Sequence, residues 1–224
     1  MAASVVPVYL EVGQKRTFAC AVDWPGWCRS GRDDSQALAA LAEKASRYAV
    51  VAAAAGLDFS SAGAVEFEVV SRLAGSGTTD FGAPDKVAPG DATPLSVEEA
   101  ARLASIVDAS WRLFDRTVGR APPELAKGPR GGGRDRDRIV DHVLAAEAAY
   151  ARRIGLRLRA PAASDAAALA AFRNAILDVL GAPSSGPSPE KGWPVRYAAR
   201  RIAWHVLDHA WEIEDRGGLK PEQA

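Results

Sequence analysis

The sequence has few of the residues that bind metals or form disulfides. Its 224 residues include two cysteines, three histidines and one methionine. Cys20 and Cys28 lie eight positions apart, and there is no second cysteine pair that would complete a zinc knuckle. We therefore expect two reduced thiols in a cytoplasmic protein, with a disulfide or a redox pair as the alternative.

The chain also lacks an excess of charge of either sign and lacks a long apolar run. The 28 basic residues equal the 28 acidic ones, whereas non-specific nucleic-acid binding depends on a basic surface. No stretch approaches the roughly 20 apolar residues that a helix needs to cross a bilayer. The first residues lack the charged and apolar regions of a secretion signal. We expect a cytoplasmic protein that binds neither nucleic acid nor a membrane.

Residues 5–73 have the pattern of strands around one helix. Pro7 would fit best at a sheet border, because proline has no N–H to donate. Asp33 and Gln36 form a capping pair for a helix that begins near Asp34 and ends at Gly56. Alternating apolar residues predict three strands, over Val5–Val12, Lys15–Asp23 and Ala64–Leu73.

The remainder of the chain has a helical pattern after a linker. Residues 74–95 are rich in Gly, Pro, Thr and Asp and show no periodicity, so we predict a linker there. Ser96 and Glu99 form a capping box for the first of four helices. The helices are predicted over about 96–119, 135–158, 164–180 and 195–216, which is typical of a four-helix bundle. The predicted fold class is α+β, with a sheet-plus-helix domain over 1–73 and a bundle over 96–224.

The three histidines all lie in predicted bundle helices. His205 and His209 are four residues apart, so their side chains share one face of the last helix, about 40° apart. His142 lies in the second helix of the bundle among small residues, Ala145, Ala146 and Ala149. A histidine on an amphipathic helix is more often a hydrogen-bonded core residue than a ligand, and this alternative stays open. We predict that the three bind one divalent ion, with zinc first and nickel or iron as alternatives.

Charged residues surround the predicted site. Arg201, Asp208 and Glu212 lie within about 60° of His205 around the helix axis. Asp208 or Glu212 is expected to hydrogen-bond the remote nitrogen of a ligating histidine, or Glu212 to act as a fourth ligand. Arg138 lies on the same face as the histidine of the second helix. Guanidinium groups near the site would favour a substrate that carries a carboxylate or phosphate. Solvated charges near helix ends are the alternative interpretation.

Two stretches of the bundle resemble a known superfamily. RIVDHVLAAEAAYARR (Arg138–Arg153) and RYAARRIAWHVLDHAWEIEDR (Arg196–Arg216) resemble the DinB/YfiT-like superfamily, including its branch of mycothiol-dependent enzymes of actinobacteria. The resemblance covers about residues 96–216. It implies a four-helix bundle whose metal is held by one histidine on the second helix and an H-x-x-x-H pair on the last. These positions are His142, His205 and His209.

The first part of the chain resembles the HicB-like fold of antitoxins over about residues 5–73. The residues that carry this resemblance are the WPGW turn (Trp24–Trp27), Arg29–Gly31 and the helix with Ala37 and Leu38. HicB antitoxins usually carry a separate DNA-binding segment. This sequence shows neither a helix-turn-helix nor a ribbon-helix-helix pattern, so a DNA-binding or toxin-neutralising regulator is the least favoured hypothesis.

The predicted function is that of a metal-dependent enzyme of the transferase, isomerase or lyase type. Three histidine ligands leave coordination positions open, and a metal there can activate a thiol or water for reaction with a small anionic organic molecule. The superfamily resemblance implies a low-molecular-weight thiol as one candidate nucleophile. The alternative is a non-enzymatic, metal-braced binding protein whose HicB-like domain recognises a partner. The sequence leaves the oligomeric state open, with a homodimer as one candidate.

Overall fold

A four-stranded sheet forms the first part of the molecule and four long helices form the last part. The computed structural model describes residues 5–59, 65–128, 132–185 and 192–222. The strands run in the order β3-β2-β1-β4, with β1 antiparallel to β2, β2 antiparallel to β3 and β1 parallel to β4. Their bounds are Val5–Val12 (β1), Thr17–Ala21 (β2), Cys28–Gly31 (β3) and Glu66–Ala74 (β4). The α+β class is confirmed.

The position of β1 corrects one prediction. This strand lies between β2 and β4, so Pro7 does not mark a sheet border. The regular pairing of β1 with β2 begins only at Val8. Pro7 lies just beyond it, where its carbonyl accepts a hydrogen bond of 2.9 Å from Val22 N. The nitrogen and the carbonyl of one strand residue face the same neighbouring strand, so the nitrogen of Pro7 also faces β2. The N–H that proline lacks would therefore lie at the end of the β1–β2 ladder.

Two helices cover one face of the sheet. The single helix predicted from Asp34 to Gly56 divides at Lys44 into α1 (Asp34–Glu43) and α2 (Ala45–Ala54). The predicted cap is confirmed, because the Asp33 side chain accepts a hydrogen bond of 2.8 Å from the main-chain N–H of Gln36. The core between helices and sheet contains fully buried side chains from both, among them Val8, Leu10, Leu41, Tyr48 and Val51.

The cysteines correct a second prediction. The structure joins Cys20 and Cys28 in a disulfide, whereas two reduced thiols were expected. The pairing follows from β3, a strand that the sequence analysis missed. Cys20 of β2 and Cys28 of β3 are directly opposite, with Cα atoms 4.1 Å apart. Directly opposed residues of antiparallel strands are close enough for their side chains to meet.

The segment predicted as a linker packs against the sheet. Residues 74–95 contain a short helix, α3 (Gly77–Phe81), and a 3₁₀ turn at Pro89–Ala92. Glu11 of β1 is fully buried beneath this segment. Its carboxylate accepts hydrogen bonds from the Thr79 hydroxyl and from the main-chain N–H groups of Asp85 and Lys86.

Four helices then form the bundle: α4 (Val97–Arg120), α5 (Arg136–Arg153), α6 (Ala166–Leu180) and α7 (Val195–Arg216). The capping box at the start of α4 is confirmed by reciprocal hydrogen bonds between Ser96 and Glu99. α4 and α7 start at the same end of the bundle, because Arg196 donates to Glu99 at 2.8 Å. α5 begins where α4 ends, since Arg136 donates to the Ala121 carbonyl at 2.8 Å. Among the described residues, no helix is long and apolar enough to span a bilayer.

Helix α7 of the bundle packs against the sheet and the turn before β3. Gly26 in the WPGW turn packs so closely on α7 that an added Cβ would lie 2.7 Å from Leu207 Cδ1. Trp204 meets Phe18 of β2 edge to face, with ring centroids 6.1 Å apart. Arg29 of β3 forms an ion pair with Asp208 at 2.7 Å. These contacts fix the position of the helix that carries two of the three histidines.

Candidate metal centre

The three histidines meet between α5 and α7. The Nε2 atoms of His142 and His205 are 3.3 Å apart. One ring nitrogen from each of His142, His205 and His209 lies within 4.8 Å of the others. Two nitrogens that share a tetrahedral zinc ion at about 2.0–2.1 Å are themselves about 3.3 Å apart. The prediction that imidazoles from two helices converge is confirmed, and the cluster is close enough to bind a metal ion.

Burial favours the neutral, metal-binding form of two imidazoles, those of His205 and His142. His205 and His209 are buried, and His142 is partly exposed. Burial lowers the pKa of His205 well below its usual value, and the neighbouring His209 and Arg201 lower it further. Burial also lowers the pKa of His142, with His209 and Arg134 acting in the same direction. Neutral imidazole carries the free lone pair that a metal requires.

A chain of hydrogen bonds orients His209. Its Nδ1 lies 2.8 Å from Oε2 of Glu212, which leaves Nε2 for the cluster. The other oxygen of Glu212 accepts from Arg216 Nη1 at 2.5 Å, and Arg216 Nε donates to the carbonyl of Ala126 at 2.8 Å. The His209 contact, followed by Arg216, lowers the pKa of Glu212 against the effect of burial. A carboxylate on the remote nitrogen of a metal-binding histidine fixes the ring and raises its basicity.

His205 lacks the support that His209 has. Its Nδ1 is buried and has no hydrogen-bond partner among the residues that the structure describes. Arg201 lies next to it, with the guanidinium 4.6 Å from the Trp204 ring and 5.5 Å from the Tyr150 ring. Tyr150 meets His205 edge to face at 5.7 Å. Arg201, Tyr150 and Trp204 therefore form an aromatic and cationic wall beside His205.

The other predicted site residues differ in how they are placed relative to the histidine cluster. The carboxylate of Glu212 contacts the remote nitrogen of His209, which is one of the two roles predicted for Glu212. The other predicted role was that of a fourth metal ligand. Asp208 does not support a histidine, because its carboxylate binds Arg29 on the sheet side of α7. Arg138 is exposed and lines an open depression that reaches the cluster, together with Arg134, Asp141 and His142. This depression gives the cluster its access to solvent.

Sequence reasoning missed three residues near the cluster: Arg134, Tyr150 and Arg216. Arg134 precedes α5, and a helical projection assigns no direction to a residue outside the helix. Arg216 is one turn beyond Glu212, so the i,i+4 spacing of acid and base could have indicated their pairing. Tyr150 is two turns beyond His142 and close to the same face of α5, which is the signal that could have identified it.

Comparison with known proteins does not assign the chain. No family model, no curated protein and no solved structure matches it.

Proposed function

We propose that this protein is a metal-dependent enzyme in which His142, His205 and His209 hold one divalent ion. The enzyme activates a thiol or water nucleophile for reaction with a small anionic organic molecule, in a transferase, isomerase or lyase reaction. The observation that carries the proposal is the convergence of three imidazole nitrogens from two helices within 4.8 Å. Three donors at this spacing on rigid helices are what a preorganised metal site requires.

The donor set fits zinc best, with nickel or iron as alternatives. Imidazole suits all three metals. Among the described residues, the cluster contains three histidines and no cysteine or carboxylate ligand. Catalytic zinc sites keep an open position beside three protein ligands, whereas structural sites are closed by four. A bound ion would supply Lewis-acid chemistry, lowering the pKa of a coordinated thiol or water.

The residues around the cluster serve to bind the substrate and hold the ligands. Arg134 and Arg138 face the depression at His142 and attract an anionic group. Glu212 holds the ring of His209 in one orientation. In a thiol conjugation the sulfur forms a bond to one carbon of an activated double bond of the acceptor, and the π bond of that double bond breaks. The thiol proton, directly or by exchange with solvent, ends on the neighbouring carbon.

We further propose that the bundle is of the DinB/YfiT-like type and the first part of the chain of the HicB-like type. The support for the first is the distribution of ligands, with His142 on the second bundle helix and His205 and His209 on the last. On this hypothesis a low-molecular-weight thiol such as mycothiol is the first nucleophile to test.

Metal content and metal-dependent turnover test the proposal. Purified wild-type protein should contain about one equivalent of metal per chain, and His142→Ala and His205→Ala should retain little, because each loses one of three ligands. Apo-protein reloaded with zinc, nickel or iron is then assayed by mass spectrometry with mycothiol and maleate. Asp208→Asn, whose carboxylate binds Arg29 away from the cluster, is the matched control and should bind metal normally.

Two outcomes would contradict the proposal. A wild-type protein that neither contains nor takes up a divalent ion would exclude the metal centre. Full metal occupancy without turnover of any thiol or hydrolytic substrate would instead favour the binding-protein alternative.

A further inference from the structure

A second cavity, of about 700 Å³, lies between the sheet and the first turns of the bundle. Its wall includes Tyr9 of β1 and Ser71 of β4, and no histidine of the metal centre lines it. Arg200 lines this cavity five residues before His205, so the two side chains point about 140° apart around α7. The volume is within the range of small-molecule sites, which is about 300–1,000 Å³. The cavity is therefore a separate candidate site.

Two of its three arginines are already neutralised by carboxylates. Arg200 is buried and makes two hydrogen bonds to the carboxylate of Asp91. Arg196 donates to Glu99 at 2.8 Å. A ligand would gain little from these two charges, because each acid already accepts the hydrogen bonds of its arginine.

The third arginine, Arg102, is held in place without a carboxylate partner. One of its guanidinium nitrogens donates to the main-chain carbonyl of Asp23. The guanidinium lies over the ring of Trp24, 4.5 Å from its centroid. Among the described residues, no carboxylate oxygen lies within ion-pair distance of this side chain. An arginine fixed by a carbonyl and an aromatic ring, with donors to spare, is suited to bind a carboxylate.

The other lining residues restrict the kind of anion. Asp23 also lines the cavity and would repel a second negative charge, which disfavours a phosphate dianion. The rest of the surface is largely apolar, from Tyr9, Val22, Ala88, Pro89 and Leu103. We propose that this cavity binds a small organic monocarboxylate with an apolar body, and that Arg102 is the partner of its carboxylate.

Calorimetric titration of the full chain with 4-phenylbutyrate tests this assignment. Wild-type protein should bind the acid at least about tenfold more tightly than the uncharged 4-phenyl-1-butanol, and more tightly than phenyl phosphate, because only the acid offers Arg102 a single charge. Arg102→Gln should weaken binding of the acid by about tenfold or more. Arg112→Gln is the matched control, since Arg112 lies on the same helix and also donates to a main-chain carbonyl, that of Ala54, outside the cavity.

A blocking variant keeps the proposal testable if Arg102→Gln fails to fold. A Cβ at Gly90 would meet no atom within 4 Å, and Gly90 lines the cavity. Gly90→Leu adds a large side chain at the wall of the cavity and should weaken binding of 4-phenylbutyrate about tenfold. Gly119→Leu, at an equally open position on α4 outside the cavity, should leave it unchanged.

Three results would overturn the proposal. The first is equal affinity for the acid and the alcohol. The second is unchanged affinity in folded Arg102→Gln and Gly90→Leu proteins. The third is loss of binding on treatment with EDTA, which would show that the probe occupies the histidine cluster instead.

Discussion

The junction between sheet and bundle and the interior of the bundle differ in how they satisfy buried carboxylates. At the junction, the carboxylate of Asp91 is bound by two nitrogens of Arg200 and by the main-chain N–H of Ala88. Inside the bundle, Glu147 is just as buried, but only one of its oxygens is bonded, to Trp111 Nε1 at 2.6 Å. Its second oxygen has no hydrogen-bond partner among the described residues and lies 3.9 Å from Nε of Arg173.

The difference indicates what each region does. The fully bonded carboxylate of Asp91 holds α7 against the 3₁₀ turn at Pro89–Ala92 and so helps to fix the backbone that carries His205 and His209. Nε of Arg200 is itself buried without a hydrogen-bond partner among the described residues. The bundle interior keeps polar atoms with unfilled hydrogen-bonding capacity, the second oxygen of Glu147 and Nδ1 of His205. Such incomplete groups cost stability, and proteins tolerate them chiefly where a ligand, a proton or an ion is handled.

Breaking the junction should have the largest effect. Asp91→Asn keeps the shape of the side chain but leaves the buried guanidinium of Arg200 without a countercharge. Removing one partner of a buried ion pair costs about 3–5 kcal/mol of the free energy of unfolding. Urea unfolding of apo-protein, followed by tryptophan fluorescence, measures this loss.

Asp108→Asn is the matched control for that experiment. Asp108 forms an i,i+4 ion pair with Arg112 at 3.1 Å on the exposed surface of α4. Exposed pairs of this kind contribute about 0.3–0.5 kcal/mol. If Asp91→Asn proved no more destabilising than Asp108→Asn, the contrast between the two regions would be wrong.

The incomplete pairing of Glu147 should appear as a pH dependence of stability. Burial raises the pKa of Glu147 to about 7, against the lowering effects of Arg173 and the Trp111 hydrogen bond. Because this folded-state pKa is above the unfolded value, the protonated form stabilises the fold below about pH 4.5. That contribution is lost as pH rises to about 7. The full loss is about 3 kcal/mol.

Glu147→Gln tests this dependence because glutamine keeps an oxygen for Trp111 and does not titrate. Unfolding free energies of wild type and variant should be closest near pH 5, and the variant should become relatively more stable by up to about 3 kcal/mol at pH 8. Contributions from groups that both proteins share cancel in the difference. Curves that stay parallel from pH 5 to 8 would show that Glu147 is ionised throughout.

The sequence was sufficient where a feature depends on neighbours along the chain. The caps at Asp33 and Ser96 and the shared face of His205 and His209 are properties of one or two helical turns. These features were predicted correctly because local spacing alone determines the direction of a helical side chain.

The sequence was insufficient where partners are distant. Asp208 and Glu212 both project near His205 on a helical wheel, but Arg29, 179 residues away, binds Asp208. The disulfide required β3 to be recognised as a strand, and the four residues of β3 carry little periodicity. Pro7 was assigned to a border because its residue type is rare inside sheets, whereas its place at the end of one ladder depends on register.

The smallest expected effect is a difference in metal affinity between variants of two neighbouring carboxylates of α7. Glu212→Gln removes the charge that supports His209, and loss of such support typically weakens metal affinity about 10- to 100-fold. Asp208→Asn removes a carboxylate only four positions earlier that binds the sheet, and should change metal affinity less than about twofold. Competition with a chromophoric chelator measures both affinities. Equal losses in the two variants would mean that the junction and the bundle interior are not separate, and that the pair with Arg29 also holds the metal ligands in place.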